Sequence, residues 1–407
     1  MYIGVLGAIA TNDLLSESAR QQLGTYPKGQ GWAPLISNLI HEYLARGYKV
    51  LAITTDAQLD DDEPPFVYDD GQLTYVVIPG RKRTFRPNGW RLGRTIDFYQ
   101  YERSRILKVL KKYKPDVVHA HWTYEFALAA LTYTPNALIT VHDNAQIIYK
   151  YVPTLERFFM LLLARYVFQK GRWFTAVSPY MAESVQKWVK LPVAVVPNPV
   201  IIPSKQLGSA IPNAPVISIV VNGWDERKNC KTALLAFKAI QQRHPKAILW
   251  GFGTAFDPEA QAAAFCREHQ IQNVVLFGHT HQAKVLEKVG QSTILLHASL
   301  EESFGMVLAE AMSYGVPVVA GKNSGAVPWV VEDGGILVDV TNIDAISNAV
   351  DKLLSDSALY EKLSTRAAQI IKTRFQIQRV ADKYIALYER CMGKSEQIEQ
   401  PDLKLIG

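Results

Sequence analysis

Short β-branched runs, each followed by a segment of helical period, recur along almost the whole chain, and parallel sheets covered by helices are what that alternation requires. In the first half the strand candidates are Tyr2 to Leu6, Val50 to Thr54, Thr74 to Ile78, Asp116 to Ala120, Ala137 to Val141, Phe174 to Val177 and Val193 to Val196. Between them lie helical stretches such as Arg103 to Tyr113, where Ile106, Leu110 and Tyr113 share a face. The alternation halts at Val196-Pro197-Asn198-Pro199, crosses a proline-bearing stretch from Ile201 to Pro215, and restarts. The second set of strands is Val216 to Val221, Ala247 to Gly251, Val274 to Phe277, Thr293 to His297 and Val316 to Ala320. Two doubly wound α/β domains facing a cleft are therefore predicted, residues 1–198 and 199–375. A chain of 407 residues is long enough to give each its own core. From Asn342 the pattern is helical, and Val380, Ile385 and Leu387 predict a last amphipathic helix within 376–393 that returns to the first domain. Residues 394–407 read as a loose tail.

Ligands in open α/β sheets bind beyond the carboxyl ends of the strands, so the loops there carry the candidate chemistry. The most informative stretch is HASLEESFGMVLAEAMSYGVPVVAGKNSG, His297 to Gly325. A strand ends near His297, Glu302 falls in the turn, Gly305 allows close backbone approach, and a helix follows to about Tyr314. The free amides of Ser303, Phe304, Gly305 and Met306 are expected to point out of that helix start, where an anion or a hydroxyl binds favourably. Glu302 and Glu310 are seven residues apart in the sense Glu-x7-Glu, one in the loop and one two turns down the helix.

This stretch closely resembles the glutamate-x7-glutamate signature of glycosyltransferase family 4, whose members are retaining enzymes with the GT-B fold of two Rossmann-like domains. Gly315-Val316-Pro317-Val318-Val319 and Ser324-Gly325 match the same pattern. The resemblance implies that Glu302 contacts the sugar of a nucleotide diphosphate donor and Glu310 its ribose hydroxyls. In Val221-Asn222-Gly223-Trp224-Asp225-Glu226-Arg227-Lys228-Asn229, Arg227 and Lys228 can neutralise a departing diphosphate. The family usually places an arginine early in this loop, where this chain has Asn222, and Arg227 is the substitute. Lys28-Gly29-Gln30-Gly31-Trp32 resembles the glycine-rich loop that closes over donor phosphates, with Gly31 the approach point. His142, after a strand, is implied to lie beside the transferred sugar, and His121 is a weaker candidate toward the acceptor. The catalytic set is thus Glu302, His142 and Lys228.

The implied reaction is transfer of a hexosyl group from a UDP- or GDP-sugar to a hydroxyl acceptor in glycan or glycolipid biosynthesis, by front-side attack. An epimerase or hydrolase of the same fold, or a non-catalytic nucleotide-sugar-binding protein, are the rival readings. No cofactor and no metal are expected. Asp60-Asp61-Asp62-Glu63 has no apolar frame to hold carboxylates round an ion and reads as a solvated loop. Cys230, Cys266 and Cys391 match neither a metal-ligand spacing nor a disulfide framework, and a reducing cytoplasm fits them.

The N-terminus lacks a basic region before its apolar residues, so no export signal is read. The apolar run Phe158 to Leu163 is well short of the roughly 20 residues needed to span a bilayer. The expected location is cytoplasmic, at most peripheral to the inner face of the membrane. The net charge of +6 is modest, so affinity for anions must be local. Arg81-Lys82-Arg83-Thr84-Phe85-Arg86, with Trp90, Arg91 and Arg94, is the densest cluster. Arg83, Arg86 and Arg91 are its candidates for an anionic, lipid-linked acceptor or a membrane surface. No nucleic-acid motif accompanies it.

Overall fold

The computed structural model describes residues 1–31, 33–60, 62–203 and 211–393. Part of the proline-bearing stretch, the whole of the tail, Trp32 and Asp61 therefore lie outside the described residues. The first sheet has eight strands: β1 (Tyr2–Leu6), β2 (Lys49–Asp56), β3 (Phe66–Asp69), β4 (Leu73–Pro79), β5 (Val117–His121), β6 (Leu138–Val141), β7 (Trp173–Ala176) and β8 (Ala194–Val195). Their spatial order is β3-β4-β2-β1-β5-β6-β7-β8. All pairs are parallel except β3 with β4. The interior strands are buried on both faces, which is why they read as continuous apolar runs.

The second sheet has six parallel strands: β9 (Val216–Val220), β10 (Ile248–Phe252), β11 (Val274–Gly278), β12 (Ile294–His297), β13 (Val318–Gly321) and β14 (Gly335–Val338). The order is β11-β10-β9-β12-β13-β14. Chain direction across the sheet reverses between β9 and β12, as it does between β1 and β5 in the first sheet. In each domain the crevice opens at that reversal.

The sequence expectation holds for both sheets, with two edge strands added. Phe66–Asp69 hugs β4 with alternating half-buried and exposed residues. Gly335–Val338 is half-buried throughout and begins with glycine, so it lacks the apolar signal of an inner strand.

The chain passes between the sheets at two places that touch. Val200 and Gln376 form a parallel bridge, with the Val200 amide donating to the Phe375 carbonyl at 2.8 Å. The helix Ile377–Cys391 then lies on the first domain. Its most buried residues are Val380, Ala381, Tyr384 and Tyr388, while the Ile385 and Leu387 of the sequence pattern are half-buried against the same core. Tyrosine is apolar in body and polar at its tip, and here the tips are partnered. Tyr388 Oη is 2.9 Å from Tyr43 Oη and 2.7 Å from His119 Nδ1, and Tyr384 Oη is 3.2 Å from Thr140 Oγ1. Arg46 adds an ion pair to Asp382 at 2.5 Å.

Candidate active site

Two loops of the second domain meet at the β9/β12 reversal. After β9 the chain makes a short turn at Glu226–Lys228 and enters the helix Cys230–Arg243. After β12 it runs through Glu301 and Glu302 to Gly305, at φ +85°, and into the helix Met306–Ser313. Asn229 fastens the loops together by donating to the carbonyls of Ala298 and Val340 at 3.1 and 2.8 Å.

The meeting of these loops pairs Lys228 with Glu302: Nζ donates to Oε1 at 2.8 Å, with the two side chains 13% and 15% exposed. Burial opposes ionisation of Glu302, but the Lys228 ammonium, helped by His297 at 3.5 Å, outweighs it and holds the carboxyl well below the usual range. Glu302 is also fixed through its backbone. Its carbonyl accepts from the Ala326 amide at 2.9 Å, and it bridges to Gly325. A side chain at Gly325, where φ is +63°, would stand 2.6 Å from that carbonyl, so the Ser324-Gly325 element of the sequence pattern acts as a buttress for Glu302.

Among the described residues, the amides of Ser303, Phe304, Gly305 and Met306 have no hydrogen-bond acceptor. They are four donors at a helix start beside the Lys228 cation, a ready receptor for an anion. The Phe304 side chain packs away from them, 2% exposed and edge-on against Trp329 and Phe375. Glu310, further down the helix, accepts from Gln282 Nε2 at 2.8 Å, and burial pushes its carboxyl up to about 7. Arg227 lies close by but leans on Glu301, 3.5 Å from Oε2. Asn222 supplies no charge and instead accepts from the Thr254 amide at 3.3 Å.

The first domain contributes His142 and Trp122. His142 follows β6, is 9% exposed, and stacks on Trp122 with ring centroids 4.4 Å apart. Trp122 sits at φ +66°, a strained conformation for a bulky residue and one that concentrates at functional sites. His142 Nε2 is 2.8 Å from His121 Nδ1. Burial pushes His142 down to about 3 and His121 well below its ordinary value, so both rings are neutral. His121 is fully buried, out of reach of an acceptor: it lies under His142 and positions it.

In the glycine-rich loop the conformational demand falls on Gly29 rather than Gly31. Gly29 has φ +68°, and an added Cβ would stand 2.3 Å from the Ile9 carbonyl. Its amide donates to Asp56 Oδ2 at 3.0 Å. Gly31 is exposed, leaving its backbone approachable.

Three contributors carry no sequence signal of their role. Ser178 Oγ donates to the Ser303 carbonyl at 2.6 Å, tying the first domain to the second across the cleft. Tyr180, two residues on, reaches Gly325 and the Glu301 carboxyl. Asp143 accepts from Tyr124 Oη at 2.8 Å, and burial pushes it up to about 6 against the pull of Arg157 and Arg227. Only the Ser-Pro start of a helix at Ser178 is visible in the sequence, and nothing there marks an interdomain contact.

The basic cluster does not survive as six surface cations. Arg81 is fully buried, donating to Glu102 and Asp97 at 2.7 Å each. Arg91 pairs with Asp62 at 2.8 Å and lies over Trp90 and Tyr101, while Arg94 donates to the Arg81 carbonyl. Lys82, Arg83 and Arg86 are exposed, Arg83 donating to the Pro87 carbonyl. Among the described residues no group of acidic, histidine or cysteine side chains is arranged to hold a metal ion, and no helix is long and apolar enough to cross a membrane.

Comparison with known proteins agrees across both domains. Residues 31–202 match the sequence model of Glycosyltransferase Family 4, and residues 205–370 that of Glycosyl transferases group 1. The chain is 29% identical over 175 residues to N-acetyl-alpha-D-glucosaminyl L-malate synthase of Bacillus anthracis. That match spans 42% of this chain and 45% of the relative, so the chain covers less than half the length of this curated relative. Sucrose-phosphate synthase from Thermosynechococcus elongatus has the same fold, with a TM-score of 0.76 at 17% identity over 97% of this chain and 100% of that one. The E. coli trehalose-6-phosphate structure bound with UDP-2-fluoro glucose superimposes with a TM-score of 0.65 at 14% identity, covering 96% and 99% of the two chains. Two parallel-sheet domains in the GT-B arrangement are thus established for this chain.

Proposed function

We infer that this chain, which belongs to glycosyltransferase family 4, transfers a hexosyl group from a UDP- or GDP-sugar to a hydroxyl acceptor with retention of anomeric configuration and without a metal. The observation that carries the reading is the Lys228–Glu302 pair at 2.8 Å beside four unpartnered amides at a helix start. A donor diphosphate seated on those amides would draw Lys228 to itself, leaving the ionised Glu302 facing the sugar. As the bond from the anomeric carbon to the diphosphate oxygen breaks, the phosphate takes the electron pair, and Lys228, the amides and Arg227 meet its growing charge. Glu302 stabilises the positive charge that develops on the ring. The acceptor oxygen bonds to the same face of the anomeric carbon, and its proton passes to the departing phosphate oxygen. Glu310 would hold the ribose hydroxyls. Neutral His142, fixed by Trp122 and His121, offers a hydrogen bond to the sugar without competing for its charge. The UDP-sugar named in the trehalose-6-phosphate structure and the glucosaminyl product named in the Bacillus anthracis relative support a hexose donor.

A panel of nucleotide sugars screened by thermal shift identifies the donor, since a ligand at 100 times its dissociation constant adds about 2.7 kcal/mol of stability. The chosen donor is then incubated with and without hydroxyl acceptors. Product only in the presence of acceptor is expected. Stoichiometric conversion of donor alone would replace this reading with an epimerase or hydrolase.

A further inference from the structure

The helix Leu155–Lys170 is apolar on two opposite sides. One side, with Leu161, Leu163, Ala164, Val167 and Phe168, is buried in the first domain. The other presents Leu155, Phe158, Leu162 and Tyr166, which are 61%, 40%, 39% and 46% exposed. Their spacing of three or four residues makes them one stripe. A helix apolar all round is ordinarily enclosed, so an uncovered stripe marks a contact surface.

The loop after β4 continues that surface. Trp90, Leu92 and Ile96 are 84%, 56% and 42% exposed. The two segments are packed together: Phe159 lies 6.2 Å from Phe85 and 6.0 Å from Phe98, and Tyr99 Oη donates to Met160 Sδ at 3.7 Å.

Charge decides what covers the surface. Residues 82–96 and 149–172 hold ten lysines and arginines and a single acid, Glu156. Against a net charge of +6 for the whole chain, everything outside these segments is net negative. Lys82, Arg83 and Arg86 in the loop and Arg165 and Lys170 on the helix are exposed around the apolar stripe. A second copy of this chain would set like charges against each other, whereas an anionic bilayer meets every one of them.

We propose that the outer face of Leu155–Lys170 and the loop 82–96 form one docking surface for an anionic phospholipid bilayer. Leu155, Phe158, Leu162 and Trp90 enter the interfacial zone while the cations meet phosphates. This goes beyond the transfer reaction and is measured without donor, so its failure and the failure of the proposed reaction are separable.

The test is sedimentation of the full chain with vesicles of phosphatidylcholine alone and of phosphatidylcholine mixed with phosphatidylglycerol. Binding to the mixed vesicles, weakened by salt, is expected. Arg83, Arg86 and Arg165 changed together to Gln should lower partition by roughly 100-fold, about fivefold for each cation. Trp90→Ser with Leu162→Ser should abolish binding with the thermal midpoint maintained. Equal binding to both vesicles, no binding to either, or full binding by the serine variant would overturn the proposal. So would a dimer in light scattering that the serine variant abolishes, which would assign the surface to a second copy.

Discussion

Replacing Lys228 with Met removes the cation and keeps most of the side-chain volume, so the result reads the charge. Its Nζ is 2.8 Å from Glu302 Oε1. Two unit charges about 4 Å apart attract by roughly 4 kcal/mol at an effective dielectric of about 20, and dehydration of both groups offsets part of that. Taking away one partner alone leaves the largely buried carboxylate uncompensated, at a cost of about 3 kcal/mol. The sign with pH follows from the direction of the shift. Glu302 is held below its ordinary value, so the pair stabilises the fold fully above the unfolded carboxylate pKa and loses that contribution as pH falls toward the folded one. In the variant burial is opposed by His297 without Lys228, so the Glu302 carboxyl rises, and the deficit against wild type is greatest at neutral pH and shrinks on acidification. Denaturant unfolding at neutral pH and near the ordinary carboxylate pKa measures this. Calorimetric titration supplies a second reading: UDP or GDP should bind roughly 10- to 150-fold more weakly, and the free nucleoside unchanged. Equal loss for nucleoside and diphosphate, or no loss of stability at neutral pH, would refute the reasoning.

Glu302→Gln should lower turnover by about 100-fold or more while nucleotide affinity stays nearly constant, since its charge matters as the sugar becomes cationic; steady-state kinetics and titration with UDP or GDP separate the two. Burial puts the Glu310 carboxyl at about 7, so nucleotide binding should tighten as pH rises through that value and the ionised form accepts from ribose, and titration of Glu310→Gln should give a flat profile. Activity should persist in excess EDTA, because Lys228, Arg227 and the amides meet the phosphate charge; loss restored by magnesium or manganese would sink that expectation.

Both sheets and the Lys228 and Glu302 loops could be read from the sequence because each rests on local pattern: continuous apolar runs for buried parallel strands, and a glycine between a strand and a helix for an anion site. What escaped was tertiary. Arg81 looked like one more surface cation because its partners, Asp97 and Glu102, lie 16 and 21 residues away. Arg91 was likewise neutralised by Asp62 from the acidic loop. The tyrosines of the last helix carry no burial signal in the sequence, since their hydroxyls argue for solvent until His119, Tyr43 and Thr140 are in place. In the sequence His121 and His142 each stand at the end of a strand signal, but in the fold His121 closes β5 opposite Thr140, two residues short of His142. Only the fold shows that one supports the other. Ser178 and Tyr180 belong to the cleft because two domains close there, which no local pattern encodes.

Retention is the claim on which the roles of Glu302 and Lys228 converge, and proton NMR of the first product formed answers it. With the donor found by thermal shift and an accepting hydroxyl compound, the anomeric coupling is followed from the earliest turnover, before any mutarotation of released sugar. An α-linked product from an α-linked nucleotide sugar is the predicted result. A β-linked product would contradict front-side transfer and require a base on the opposite face of the ring.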